Sequence, residues 1–467
     1  MPNIKTDEQS VTNFLERAVE NVYPNKEAFA AALTSGKRLT AYLGIDPTGP
    51  SLHLGHAIAL RKLKELQEMG HRCIMLIGDF TAMIGDPTDK GAARKPLTHE
   101  QVMENCKNYS VQASKILDMD GKATGNPIEI KYNSEWLGKL SFAEVLELSS
   151  HFTVQQMLER DMFRRRMSWR SICPKCHNEN LMSAEIQQTV TDERGKKVVL
   201  SSIDDLTWKC KECGREYTTE MASEIHSPRP IFVHEFLYPL MQGYDSVAMD
   251  VDIELGGNDQ TFNMLAGRDL MKDLKHKEKF VMAIKLLTDP EGKKMGKSEG
   301  NMITLDDSPE DMFGKVMSWP DGVILDGLEL CTNISGEEID VIAGRLEEGV
   351  NPVGFKRRLA REIVSTWHSI QDANKAEEHF DRLFKDHQAP EDMPEVPVSN
   401  RKNKLVDLLV LAKLVPSKAE AKRQIEQGAV KVDGQAVNDI EAQVEITDDQ
   451  LVLQKGKRGF ARIKLIN

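Results

Sequence analysis

A chain of 467 residues exceeds the usual reach of one hydrophobic core, so two to four domains are expected. Apolar residues make up 40% and charged residues 29%, an ordinary globular balance, and no apolar run approaches the roughly 20 residues of a spanning helix. The net charge of −12 excludes polyanion binding by the surface as a whole; residues 401–467, however, carry +4 against −16 for the rest, the asymmetry of a nucleic-acid-binding appendage on an acidic body.

The polar, acidic start MPNIKTDEQSVTNFLERAVE lacks the form of a secretory signal, which gives the expectation of a cytoplasmic protein without membrane association. Residues 10–35 pattern as helix. KRLTAYLGID (37–46) reads as a strand ending at Asp46, PTGPS as a turn, and the next stretch as a helix to about Met69. HRCIMLIGDF begins as a continuous apolar run, which fits a strand buried on both faces. Strand, turn, helix and strand in this order make a βαβ unit. It predicts an α/β protein with a Rossmann-like, doubly wound parallel sheet and a ligand site at the carboxyl ends of its strands. IEIKYNSEWL, AMDVDIELGG and FVMAIKLLTD read as further strands.

Residues 168–228 break this rhythm with short polar strands, including KKVVL and YTTE, and with four of the seven cysteines. Those four form CPKC (Cys173, Cys176) and CKEC (Cys210, Cys213), separated by 33 residues. Paired CxxC knuckles suit a tetrahedral four-thiolate site, so a zinc-ribbon-like insertion with structural Zn²⁺ is expected. A rubredoxin-type iron site uses similar ligands and remains an alternative. Cys73, Cys106 and Cys331 are isolated and read as small buried hydrophobes. Residues 305–388 pattern as helices, 386–400 as a Pro- and acid-rich linker, and the last 67 residues as two short helices followed by strands.

The stretch SLHLGHAIALRKL (51–63) starts a helix with two histidines around Gly55. Three explanations compete. A metal site lacks a third ligand at helix spacing. A surface accident fits poorly beside a buried strand. A phosphate site has a mechanism, because a helix N-terminus offers N–H donors and a partial positive charge that imidazole N–H groups extend. DPEGKKMGKSEGN (289–301) supplies a counterpart: Lys294, Lys297 and Ser298 lie in a glycine-rich loop suited to gripping a polyphosphate.

HLGH after the first strand and KMGKS far downstream form the signature pair of class I aminoacyl-tRNA synthetases. The chain resembles bacterial tyrosyl-tRNA synthetases over nearly its whole length, with YLGIDPT, GDFTAMIGDPT, YPLMQGYD and GGNDQ standing in order. The resemblance implies tyrosine, ATP with Mg²⁺, and tRNA(Tyr) as partners, and a homodimer. It implies that His53, His56, Thr48, Lys294 and Lys297 act on ATP. Gly44, Asp46, Gly55, Lys90, Arg94, Gly257, Asp259 and Ser298 would complete the nucleotide site. Tyr42 and Asp245 would read the substrate phenol. Tyr238, Gln242 and Asp86 would hold its ammonium, with Thr81, Asn133, Trp136 and Gln260 lining the rest. Glu254 stands where many relatives carry glutamine, and a carboxylate there needs a partner.

The implied layout is a catalytic domain at 1–300 carrying the insertion at 168–228, a helical anticodon-binding domain at 301–390 and an S4-like α+β RNA-binding domain at 400–467. In SKAEAKRQIEQGAVKVDGQAV, Lys418, Lys422 and Arg423 share a helical face before a turn at Asp433-Gly434. Rival readings are a tryptophanyl-type synthetase, a nucleotidyltransferase that acts on no tRNA, and a catalytically inactive RNA-binding scaffold.

Overall fold

The computed structural model describes residues 4–86, 97–160, 163, 182–184, 188–191, 197–200, 208–210, 216–217, 231–290, 302–384, 393–446, 450–456 and 459–465. The chain divides into two compact units, Met1–Leu286 and Leu287–Asn467.

The first unit is built on six strands: β1 (Val19–Tyr23), β2 (Thr40–Ile45), β3 (Arg72–Ile77), β4 (Glu129–Tyr132), β5 (Ile253–Gly257) and β6 (Phe280–Ile284). Their order is β1-β6-β5-β2-β3-β4. Strands β2 to β6 are mutually parallel, while β1 runs antiparallel to β6. The sheet is therefore mixed, which corrects the expected purely parallel sheet. The cause lies in residues 10–35, which form α1 (Glu8–Glu16), β1 and α2 (Lys26–Thr34) in place of one helical run. Asp7 and Asn25 each cap a helix, accepting from the N–H groups of Ser10 and Ala28 at 2.9 and 2.8 Å. Between these helices β1 buries Val19 and Val22 and exposes Glu20 and Asn21. A register shift at Val19–Asn21 removes the alternation that betrays a strand in sequence.

Strands β2 and β3 are nearly continuous apolar runs, as a sheet covered on both faces requires. From β2 the chain builds outward to β3 and β4; it returns on the other side of β2 through β5 and β6. The carboxyl ends of β2 and β5 thus flank the point where strand order reverses, and a crevice for a ligand forms at such a point. Three helices frame it: α3 (Leu54–Glu68), α4 (Val233–Met249) and α5 (Thr261–Lys275). Both α4 and α5 end on residues in the left-handed region, Asp250 and His276, each with φ 51°. Their backbone N–H groups close the last helical turns.

Within the insertion the described backbone pieces are antiparallel. Trp208–Cys210 pairs with Met182–Ala184 and with Glu216–Tyr217, and Gln188–Thr191 pairs with Lys197–Leu200.

In the second unit, helices Pro309–Met317, Ile324–Cys331, Gly336–Glu347, Val353–Trp367 and Ile370–Phe384 enclose Phe313, Leu328, Leu359 and Ile363. Ser308 and Ser335 cap two of them. Beyond these helices lies a sheet of β7 (Glu395–Val398), β8 (Val430–Val432), β9 (Gln435–Ala436), β10 (Gln450–Lys455) and β11 (Gly459–Leu465), in the order β7-β11-β10-β8-β9. It shares a core with α6 (Leu405–Leu411) and α7 (Lys418–Glu426). Strand β7 lies inside the expected linker. It pairs in parallel with β11 and buries Val398. Pro397 is tolerated because β7 is an edge strand. The turn expected at Asp433-Gly434 joins β8 to β9, with φ of 48° and 82° at the two residues.

Candidate active site

The histidine pair caps its own helix. His53 is the N-cap of α3, and its Nδ1 accepts from the Gly55 N–H at 3.1 Å. His56 Nδ1 accepts from the His53 backbone N–H at 3.3 Å. The rings stack with centroids 3.9 Å apart. Since both Nδ1 atoms are acceptors, the neutral form of each ring carries its proton on Nε2. Burial, with the neighbouring His53 second, holds His56 well below the usual histidine pKa. The space over Gly55 is filled by the His53 ring: a Cβ there would lie 2.9 Å from His53 Cε1. Glycine at position 55 is thus required by the histidine cap itself.

Behind this helix a polar cluster lies at the ends of β2, β3 and β5. Asp46 follows β2 and accepts from Thr81 Oγ1 at 2.7 Å and from Tyr238 Oη at 2.7 Å. Asn133 Nδ2 donates to Thr81 Oγ1 at 3.0 Å and to Asp245 Oδ2 at 3.3 Å. Trp136 Nε1 donates to Asp245 Oδ1 at 2.7 Å. Asp245 and Tyr42 are both buried. Desolvation pushes the Asp245 carboxyl well above the usual carboxylate range; the Trp136 and Asn133 donors oppose the rise, and the charges of Glu254 and Asp46 add to it. Tyr42 and Tyr238 are likewise held far above the usual phenol range, first by burial and then by carboxylate neighbours. Both stay neutral and can donate or accept.

Glu254 has the partner it needs. It stands beside Tyr42 in the β5/β2 register and forms an ion pair with Lys279, both side chains essentially inaccessible to solvent. Ser246 Oγ donates to Glu254 Oε2 at 3.3 Å, accepts from Lys279 Nζ at 2.9 Å and lies 3.1 Å from the Tyr42 hydroxyl. Gln242 Nε2 donates to Glu254 Oε1 at 3.0 Å. Asn263 Nδ2 donates to Gln242 Oε1 at 3.0 Å and to Gln260 Oε1 at 2.9 Å. Gln260 Nε2 donates to Asp86 Oδ2 at 2.7 Å, and the buried Arg160 donates to Asp86 Oδ1 at 2.9 Å. One chain of bonds thus runs from Lys279 to Arg160 through six intervening side chains or fewer at every branch.

The structure therefore gathers the ten predicted side chains into two bonded networks: Asp46, Thr81, Asn133, Trp136, Tyr238 and Asp245 in one, and Tyr42, Asp86, Gln242 and Gln260 in the other. Gly44 stands in β2, Gly257 ends β5, and Asp259 follows it. The Thr48 N–H donates to the Asp46 carbonyl at 2.8 Å. Lys90, Arg94, Lys294, Lys297, Ser298, Cys173, Cys176 and Cys213 lie outside the described residues, as does the side chain of Cys210. Among the described residues no group of three or more His, Cys, Asp or Glu is placed to hold a metal ion. In the second unit, Lys418, Lys422 and Arg423 pair with Asp407, Glu441 and Glu420 at 2.7, 3.5 and 2.7 Å, all on the surface.

Sequence reasoning missed Arg160, Ser246, Asn263 and Lys279. Ser246 and Asn263 carried a usable signal. Each lies three or four residues along a helix from a recognised polar residue, Gln242 and Gln260. Arg160 and Lys279 carried none, because each reaches its partner only through tertiary packing.

Comparison with known proteins fits this geometry. Residues 34–175 and 210–385 match the family of tRNA synthetases class I (W and Y). The mixed α/β sheet of the first unit is therefore the fold of a class I tRNA synthetase. Residues 386–463 match the tyrosine–tRNA ligase SYY-like C-terminal domain. A tyrosine–tRNA ligase of Moorella thermoacetica is 40% identical over 96% of this chain and 94% of its own length, and one of Thermotoga maritima 39% identical over 98% of each. The chain belongs to the tyrosine–tRNA ligase family. Among solved structures, the tyrosyl-tRNA synthetase of Archaeoglobus fulgidus complexed with L-tyrosine shares the fold, with TM-score 0.53 and 20% identity over 79% of this chain and 99% of its own. A C-terminally truncated mitochondrial tyrosyl-tRNA synthetase of Aspergillus nidulans does so with TM-score 0.55 and 20% identity over 81% and 95%.

The cap geometry makes His56 a neutral donor at physiological pH. A histidine whose folded pKa lies below its unfolded value binds its proton only as pH falls beneath the ordinary range. Imidazole ¹⁵N spectra should show the neutral Nε2–H tautomer of His56 from about pH 8 to about pH 6. A protonation midpoint at or above the ordinary histidine value would contradict this geometry.

Proposed function

We propose that the chain is a tyrosine–tRNA ligase that works through the polar cluster described above. Tyrosine carboxylate attacks the α-phosphorus of ATP in line. The bond to the β-phosphate bridge breaks, pyrophosphate leaves, and tyrosyl-adenylate forms. The 3′-terminal ribose hydroxyl of tRNA(Tyr) then attacks the tyrosyl carbonyl and AMP departs. No protein nucleophile is used; catalysis consists of positioning and of donors aimed at developing charge.

Tyr42 and Asp245 take the substrate phenol, which needs both a donor and an acceptor when buried. Tyr238, Gln242 and Asp86 take its ammonium. Asn133, Thr81 and Gln260 line the carboxylate side. His53, His56 and Thr48 act on the ATP phosphates, and Lys294, Lys297 and Ser298 neutralise the leaving pyrophosphate, with Lys90 and Arg94 in support. Gly44, Asp46, Gly55, Gly257 and Asp259 complete the nucleotide side. Mg²⁺ arrives with ATP and supplies charge neutralisation along the polyphosphate.

The single observation that carries this reading is that a phenol and a carboxyl, Tyr42 and Asp245, are both buried and feel each other's field. A tryptophan pocket has no use for two such groups, and left unpaired each would cost about 1–3 kcal/mol. Pyrophosphate exchange assayed with tyrosine and then with tryptophan tests it. Exchange is expected with tyrosine at a kcat/KM at least about a hundredfold higher than with tryptophan. Preference for tryptophan, or exchange with neither, sinks the reading.

Other parts follow from the same family. The proposed layout is a catalytic domain at 1–300, a helical anticodon-binding domain at 301–390 and an S4-like RNA-binding domain at 400–467. Lys418, Lys422 and Arg423 meet the tRNA backbone. Asp407 and Glu441 are exposed and Glu420 is half-buried, and surface ion pairs contribute about 0–1 kcal/mol, so phosphates displace them at little cost. A homodimer is supported by exposed Phe142, Leu146, Val154 and Val233 around the helix Phe142–Ser150 and the start of α4. Among the described residues no helix is long and apolar enough to cross a membrane, and the proposed location is the cytoplasm.

The insertion at 168–228 is proposed to be a zinc ribbon held by Cys173, Cys176, Cys210 and Cys213. Its support is the CxxC spacing and the antiparallel pieces around it. Elemental analysis should find about one zinc per chain, lost when all four cysteines are changed to serine. Iron in its place would correct the metal, and no metal in the unaltered protein would overturn the site.

A further inference from the structure

Glu254 and Lys279, among the most enclosed charges of the described residues, have no role in the mechanism above. They are costly to bury: even a well-paired ion pair recovers little more than its desolvation penalty. The fold makes room for them deliberately. Gly267 on α5 faces Gly243 on α4, and a Cβ at Gly267 would lie 2.5 Å from Lys279 Nζ. The ammonium thus threads between two closely approaching helices to reach β5.

What the pair does follows from hydrogen-bond direction. A carboxylate accepts and never donates. Glu254 Oε1 therefore draws the Nε2 end of Gln242 toward itself. That choice turns the Gln242 carbonyl oxygen away, where it receives Asn263 Nδ2 and keeps a second lone pair. Lys279 occupies the other carboxylate oxygen together with Ser246, so both oxygens of Glu254 act as acceptors. An ammonium ligand needs an acceptor, and an amide presented the other way round would offer it N–H groups.

We propose that Glu254 and Lys279 are positioning residues of the substrate pocket, which fix the amide orientation of Gln242 so that its oxygen faces the substrate ammonium. The inference rests on the tyrosine-site reading. It adds that ammonium recognition is set from outside the pocket, by a charge pair that touches no substrate.

The test uses a nearly isosteric change. In Glu254→Gln the ammonium of Lys279 claims the new amide oxygen. The new amide nitrogen then faces Gln242, which must turn its own oxygen to it and present N–H groups to the substrate. The KM for tyrosine in pyrophosphate exchange should rise at least about tenfold, with kcat and the KM for ATP changed less than about threefold. Adding Lys279→Met removes the competing ammonium. Ser246 then accepts from the amide nitrogen, the oxygen returns to Gln242, and most of the tyrosine KM should be recovered. Thermal unfolding of both variants shows that the folded protein is being compared.

An unchanged KM for tyrosine in folded Glu254→Gln overturns the proposal, since a purely structural pair would alter stability alone. Failure of Lys279→Met to recover the KM also overturns it. If Glu254→Gln does not fold, a tyrosine KM in the double variant far above that of the unaltered protein is the contradicting result. Absence of tyrosine-dependent exchange in the unaltered protein would instead refute the tyrosine-site reading, so the two failures are distinguishable.

Discussion

Buried polar groups in this pocket hold one another, and the chain of bonds is anchored by a cation at each end. Lys279 fixes Glu254, Arg160 fixes Asp86, and Gln242, Asn263 and Gln260 lie between them. Satisfaction of such a network is close to all-or-none, because one reversed amide leaves two donors or two acceptors face to face. The carboxylates at the two ends decide the direction of every amide in the chain. A pocket for a zwitterion with a phenol needs that property, since its ligand brings donors and acceptors in a fixed order. A second anchored group, Asp245 held by Trp136 and Asn133, follows the same rule.

The backbone supplies the frame. Adjacent parallel strands β2 and β5 diverge in their connections, which opens a crevice at their carboxyl ends. Helix α3 starts at the same edge, and its first turn is closed by its own histidines. The capped helix explains why the motif has this form. Each Nδ1 satisfies a backbone N–H that a helix start would leave bare. Glycine between them is the only residue that leaves space for the His53 ring.

Much of this was legible in sequence, for reasons that can be stated. Strands β2 and β3 are apolar stretches separated by a turn and a helical pattern, so the βαβ core could be read directly. The Asp433-Gly434 turn announced itself by residue type alone. Strand β1 could not be read, because it is short, bulged and flanked by capped helices whose pattern absorbs it. Strand β7 was hidden in a stretch rich in proline and acid, a composition that an edge strand tolerates. In the site, motif residues such as Tyr42, Asp245, His53 and His56 stand out. Their supports do not. Glu254 was visible as a carboxylate in need of a partner, yet Lys279 lies in another strand's approach, and only the sheet register and the Gly243–Gly267 contact bring the two together. Arg160 reaches Asp86 in the same tertiary manner.

A crystal structure with bound L-tyrosine tests the central claim most directly. The phenol oxygen is expected within about 3 Å of both Tyr42 Oη and an Asp245 carboxyl oxygen, and the ammonium within about 3 Å of Gln242 Oε1. A ligand bound with its phenol at Asp86, or outside the cluster altogether, would contradict the account.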